Sequence, residues 1–231
     1  FLSSYFFSCL FYHTLGLYHF FIVKSPEISH NILRYEKIFR RSSMDVIRIY
    51  TDGACSGNQE RTNFGGWGSV LEAGGRRKEL WGGEADTTNN KMELPAVIEA
   101  FKALKKEGLT IHVFTDSAYV ANCFREKWYE SWEKNKWRNA AHKAVENQDL
   151  WKELLSLVRK HDVTFYRVKG HVRLPETSGD QLPESPALTS LYEKFLSWNG
   201  SSFSYADFIY VIKMNHVVDG LANKGIDQIR G

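Results

Sequence analysis

The chain has 231 residues, of which 43% are hydrophobic and 25% charged, enough apolar material for one good-sized packed domain. Its net charge of +3 is carried entirely by the first 43 residues, where Lys24, Arg34, Lys37, Arg40 and Arg41 outnumber Glu27 and Glu36. The remainder is neutral in sum, so bulk charge is excluded as a source of nucleic-acid affinity, which has to come from a local basic patch. Cys9, Cys55 and Cys123 show neither metal-ligand spacing nor a paired framework, which points to a reduced, cytoplasmic protein.

Phe1 to Val23 is rich in Phe, Tyr and Leu and could pass for a signal or membrane anchor. Tyr12, His13, Tyr18 and His19 interrupt it, no basic residue precedes it, and no cleavage site follows. Residues 1–43 are therefore expected to be a dispensable extension, with the folded domain occupying 44–231. Val46 to Asp52 alternates and is β-rich, which predicts a strand ended by Gly53, Gly57 and Asn58. Gly65–Glu72 and Arg77–Trp81 read as two more strands joined by a Gly74–Gly75 hairpin, giving an antiparallel meander. Thr87-Thr88-Asn89-Asn90 offers N-cap chemistry for a helix over Lys91–Glu107, whose stop signal is Gly108. Ile111–Thr115 is a short apolar strand. Strand, long helix and strand imply a right-handed crossover and parallel pairing.

Ala118–Cys123 predicts a short helix, Arg125–Lys143 is a segment rich in Trp and Lys, and Gln148–Lys160 is helical with Leu150, Trp151, Leu154, Leu155 and Val158 on one face. Val163–Val168 is a fifth strand and Asn215–Ile229 a last helix. The fold class expected is α/β, a five-stranded mixed sheet flanked by helices. An insertion falls at about 173–213, with a Pro- and Gly-containing first half and helix-like spacing over Leu188–Trp198 and Tyr205–Ile212.

Four acidic residues stand in distinctive surroundings: Asp52 in IYTDGACSGN, Glu93 in TTNNKMEL, Asp116 in VFTDSAYV and Asp219 in NHVVDGLANKG. Taken singly, each has an ordinary structural explanation as a turn residue, a cap or a partner of a helix dipole. Taken jointly, Asp52 and Asp116 at the ends of adjacent parallel strands would lie within a few ångströms, about the 4.8 Å strand spacing. Carboxylates so placed repel and raise one another's pKa unless cations neutralise them. Oxygen-only ligands suit hard divalent ions, and a pair of such ions is suited to cutting a phosphodiester.

The series TDGACSGN, GGWG, TTNNKMEL, TDSAYV, a Trp-rich basic segment, VKGH and VDGLANKG resembles type 1 ribonuclease H, over roughly residues 44–173 and 213–230. The resemblance implies a ribonuclease H-like fold and an endonuclease that hydrolyses the RNA strand of an RNA–DNA hybrid with two Mg2+ ions or Mn2+, leaving 5′-phosphate and 3′-hydroxyl ends. Asp52, Glu93, Asp116 and Asp219 match the metal-binding carboxylates, with Asp52 bridging. His171 matches a loop histidine used in proton transfer or product release, chemistry that suits a side chain titrating near neutrality. Asn58, Asn89 and Asn90 match positions that contact the RNA strand, and Thr88 and Asn147 match positions that hold a DNA phosphate. Trp128, Trp132, Lys134, Lys136 and Arg138 resemble a basic protrusion that grips the hybrid; packed Trp side chains with solvated lysines are the plainer reading of the same residues. His216 stands where the family often has an acid. Two other classes share parts of the pattern: a strand-transfer enzyme, disfavoured by the TTNN motif, and a non-catalytic hybrid-binding module. A monomer is the default expectation, with no membrane partner.

Overall fold

The computed structural model describes residues 46–56, 63–176 and 181–231. The extension expected over 1–43 and the candidate substrate residue Asn58 lie outside these described residues. Strands β1 (Val46–Ser56), β2 (Phe64–Ala73) and β3 (Arg76–Ala85) form the antiparallel meander, turned at Gly74 and Gly75 with φ of 54° and 75°. Helix α1 (Asn89–Lys102) crosses over to β4 (Thr110–Thr115), which pairs parallel with β1. Then come α2 (Ala118–Arg125), α3 (Trp128–Lys134), α4 (Gln148–Val158), β5 (Asp162–Arg167), α5 (Pro186–Asn199) and α6 (Tyr205–Arg230). The sheet is five-stranded and mixed, as expected from the sequence, and its strand order is β3-β2-β1-β4-β5.

Three of the boundaries that differ from the sequence reading bear on the site. Gly53 does not end β1: the strand runs on to Ser56, because Gly53 through Ser56 keep cross-strand partners from Trp67 to Phe64 on β2. What stops near Asp52 is only the parallel pairing with β4, whose last register pair is Thr51 with Thr115. Helix α1 ends at Lys102, short of Gly108. The Ala103 N–H is shared by the Glu99 and Ala100 carbonyls and Leu104 bonds Phe101, the tightened pattern that closes a helix. Gly108, at φ 70°, instead turns the chain into β4 while its N–H donates to Lys160 O at 2.8 Å. The last helix begins at Tyr205, ten residues upstream of Asn215, as one unbroken helix of 26 residues. Its start is fixed by a reciprocal capping box between Ser204 and Asp207.

Successive strand residues send side chains to opposite faces and build two cores. Ile49, Ile111 and Val113 pack with Leu94, Val97 and Trp151 beneath α1, α2 and α4. Tyr50, Val70 and Phe114 pack with Phe195, Phe208 and Val218 beneath α5 and α6. Leu188 and Phe195 of α5 are each 2% exposed, so this helix of the 173–213 segment contributes to the second core. Helix α6 packs directly on the strand backbone at Gly66 and Gly68, which present no side chain to it. A Cβ at Gly66 would lie 2.0 Å from Ala222 O, and one at Gly68 would lie 2.4 Å from Val218 O. No helix among the described residues is long and apolar enough to cross a membrane.

Candidate active site

The strand register brings the first carboxylates together. Asp52 and Asp116 each follow a residue of the last β1–β4 pair, Thr51 and Thr115, so they emerge side by side. Glu93 comes from the first turns of α1, a helix capped by Thr88, whose side chain accepts from Lys91 N. Oxygens of Asp52, Glu93 and Asp116 all lie within 4.8 Å of one another. Asp219, half-buried on α6, falls outside that group but is near enough for its charge to act on Asp52.

Burial is the first cause that pushes the Asp52 carboxyl up to about 8, and the Asp116 and Asp219 charges add to it. Glu93 is likewise held well above the usual carboxylate range, by burial and then by Asp52 and Asp116. The Gly53 N–H and the Ser117 hydroxyl oppose this at Glu93 without reversing it. Glu93 Oε2 is buried with no hydrogen-bond partner among the described residues. A buried, unpartnered carboxylate oxygen beside two more acids is costly unless a cation completes it. The three acids offer oxygen donors only, which suits a hard divalent ion, so this triad can hold a metal ion.

These acids line a cleft of about 290 Å³ that also takes in Asn89, Lys169 and His171. His171 is exposed, at φ 54°, in the loop after β5. That loop is tied to α6, since His216 Nε2 lies 2.6 Å from Val172 O. His216 thus serves the loop's backbone where an acid is often found in the family. Asn215 is 5% exposed, and its Nδ2 donates to Asp116 Oδ2 at 3.2 Å. The sequence reading passed over it, although a polar residue four before Asp219 on a helix shares its face, a legible signal.

A second cavity, of about 280 Å³, gathers Thr88, Asn89 and Asn90 with Cys55 and Asn63. Asn89 borders both cavities. Asn63, also missed, brackets Thr87 with its amide, accepting from Thr87 N and donating to Thr87 O, each at 2.8 Å. This fixes the strand-to-helix turn that carries Thr88 to Asn90. Asn147 is not among the residues lining this cavity; it opens α4 at φ 54°. In the basic segment, Trp128 and Trp132 are half-buried against the first core, Trp132 meeting Trp151 edge-on at 5.5 Å. Lys134, Lys136 and Arg138 are exposed, with Arg138 donating to His142 O at 2.7 Å.

Residues 44–185 match the family model described as RNase H. The chain is 52% identical over 141 residues to the ribonuclease H of Syntrophomonas wolfei subsp. wolfei, covering 61% of this chain and 90% of that one. It is 54% identical over 125 residues to that of Chlorobium luteolum, covering 54% and 83%. Among solved structures, LC9-RNase H1, described as a type 1 RNase H with the type 2 active-site motif, is 34% identical with a TM-score of 0.50, covering 56% of this chain and 65% of that one. The PFV RNase H domain, 22% identical with a TM-score of 0.50 over 78% and 93% of the two chains, shares the fold. The matched segment contains Asp52, Glu93, Asp116 and His171; Asp219 lies beyond it and joins them through α6. The chain belongs to the ribonuclease H family, whose members are metal-dependent nucleases.

Proposed function

We propose that this protein is an endonuclease that hydrolyses the RNA strand of RNA–DNA hybrids with two Mg2+ ions, leaving 5′-phosphate and 3′-hydroxyl ends. The observation that carries this reading is the all-oxygen cluster of buried Asp52 and Glu93 with half-buried Asp116, with its unpartnered Glu93 oxygen, in a chain of this family. Asp52, Glu93, Asp116 and Asp219 would hold the ions, with the charges of Asp116 and Asp219 both acting on Asp52. Mn2+ meets the same oxygen-donor requirement. Such a pair of cations supplies Lewis-acid activation of a water and stabilises the leaving 3′ oxygen.

The chain's own groups orient the substrate around that centre. Asn89 and Asn90, whose amides both donate and accept, meet 2′-hydroxyls and base edges of the RNA strand, as does Asn58. Thr88 and Asn147 hold a phosphate of the DNA strand. Lys134, Lys136 and Arg138 bind phosphates further along it, and the open faces of Trp128 and Trp132 pack on sugar. His171, at the cleft mouth, moves a proton between its imidazole and the leaving oxygen or departing phosphate. The domain comprises 44–231 with the 173–213 segment inserted beside the site, and it works as a monomer.

The test is cleavage of a uniformly labelled RNA–DNA hybrid, duplex DNA and duplex RNA, with and without Mg2+. Wild type should cut the hybrid alone and only with the metal, while Asp52→Asn should be folded and inactive. Cleavage of duplex DNA, or full activity of Asp52→Asn in Mg2+, would refute the assignment.

A further inference from the structure

The cleft has one wall that the family motifs do not account for. Arg167, the last residue of β5, and Trp198, near the end of α5, both line it with the three acids. The Arg167 guanidinium lies over the Trp198 ring with its carbon 4.4 Å from the ring centroid, and Lys194 Nζ is 5.2 Å from the same centroid. The backbone of Arg167 is fixed by the next residue of α5. Asn199 accepts from Arg167 N at 2.9 Å and donates to Arg167 O at 2.8 Å, taking the place of a further strand on this edge. Arg125 closes the corner by donating to Trp198 O at 2.6 Å.

This is a cation with its plane and its anchorage set but with no anion. Among the described residues no ion pair involves Arg167, and its buried Nε has no hydrogen-bond partner. A guanidinium stacked on an indole keeps its edge free, and that edge matches two oxygens of a phosphate. Lys169 and Lys194, both exposed, add positive charge on the same side. The anion most available here is a phosphodiester of the strand lying in the cleft, beside the one held at the acids.

We propose that Arg167, seated on Trp198 and bracketed by Asn199, is a phosphate clamp for the RNA strand, gripping a phosphate next to the scissile one. The inference rests on the proposed hybrid-cleaving function. It also gives the 173–213 segment a role in the site, because α5 supplies the platform on which the clamping residue is oriented.

The experiment measures steady-state cleavage of an RNA–DNA hybrid in Mg2+ by wild type, Arg167→Gln, Trp198→Leu and Arg167→Lys. It is repeated on hybrids carrying one neutral methylphosphonate, next to a single deoxynucleotide, at each position around the cleavage site in either strand; the deoxynucleotide with an ordinary phosphate is the control. Arg167→Gln and Trp198→Leu should raise KM about 10-fold, with KM carrying most of the loss in kcat/KM. Arg167→Lys, which keeps the charge without the fork, should recover part of it and should melt with wild type. One RNA-strand methylphosphonate beside the scissile position should bring wild type down to the level of Arg167→Gln, and that variant should lose nothing further on it. An unchanged KM in Arg167→Gln would overturn the clamp. So would a deficit equally large on every neutral hybrid, as a purely structural stack would give, or coupling to a DNA-strand position. Failure of wild type to cut the unmodified hybrid would instead strike the functional reading itself.

Discussion

Asn215 Nδ2 and Asp116 Oδ2 meet at 3.2 Å, joining the middle of α6 to the residue that follows β4. Asn215 is 5% exposed and Asp116 half-buried, so this contact is only partly open to water. It holds one Asp116 oxygen in place. Replacing Asn215 with Ala should lower kcat/KM roughly 10- to 100-fold, the scale of a lost hydrogen bond to a charged group. The circular dichroism spectrum should stay that of wild type. An undiminished kcat/KM would remove Asn215 from the site.

Metal-free stability should depend on pH in a direction set by the cluster. In the folded state Asp52 keeps its proton up to about 8, against an ordinary value of 3.8, and Glu93 is shifted the same way. Between these limits the folded chain binds more protons than the unfolded one, so stability is present at low pH and is lost as pH rises through the window. Melting temperature in EDTA should fall from pH 5 to pH 8, and the increment given by Mg2+ should grow over the same range. A flat profile in EDTA would mean that neither burial nor the neighbouring acids raise these carboxyls.

Gly170 has no room for a side chain. A Cβ there would stand 2.1 Å from Asp116 Oδ2. Gly170→Ala should push the loop that carries His171 away from the acids and cut kcat severalfold, while Val168 and Val172, which anchor that loop in the second core on either side, keep the fall in melting temperature to a few degrees. Wild-type turnover would show that the loop has slack.

The exposed cations at the end of α3 and just beyond it carry a prediction that separates binding from packing. Changing Lys134, Lys136 and Arg138 together to Gln should raise KM and flatten the log–log dependence on salt by about one unit per lost phosphate contact. Trp132→Ala, by contrast, should lower the melting temperature, because that ring packs on Trp151.

Helix α5 should unfold with the rest of the domain. Phe195 is 2% exposed and packs among Phe203 and Phe208. Phe195→Ala should cost about 3–5 kcal/mol and shift a single calorimetric transition. A separate low-temperature transition would show α5 to be an independent appendage.

Much of this was legible in the sequence. The strands show alternation, α1 and α4 show helical periodicity, and the acids stand in short, distinctive motifs. What was not legible depends on pairing across the chain. Gly53 reads as a strand stop, yet β1 continues because Trp67 of β2 faces it. The brackets made by Asn63 and Asn199 join residues 24 and 32 positions apart, and an asparagine leaves no periodic trace of such a role. Arg167 looks like any charged end of an edge strand until Trp198 is found beneath it.

The single span of α6 from Tyr205 to Arg230 bears on how such a chain can be lengthened. Residues added ahead of Asn215 prolong one hydrogen-bond ladder backwards, so everything downstream keeps its rotation and height. One residue inserted between Asn215 and Asp219 would instead swing the acid by about 100° around the helix axis. Added length before Asn215 thus leaves the position of Asp219 unchanged and added length after it does not, which makes the front of this helix a natural grafting point for new surface beside the acidic cluster.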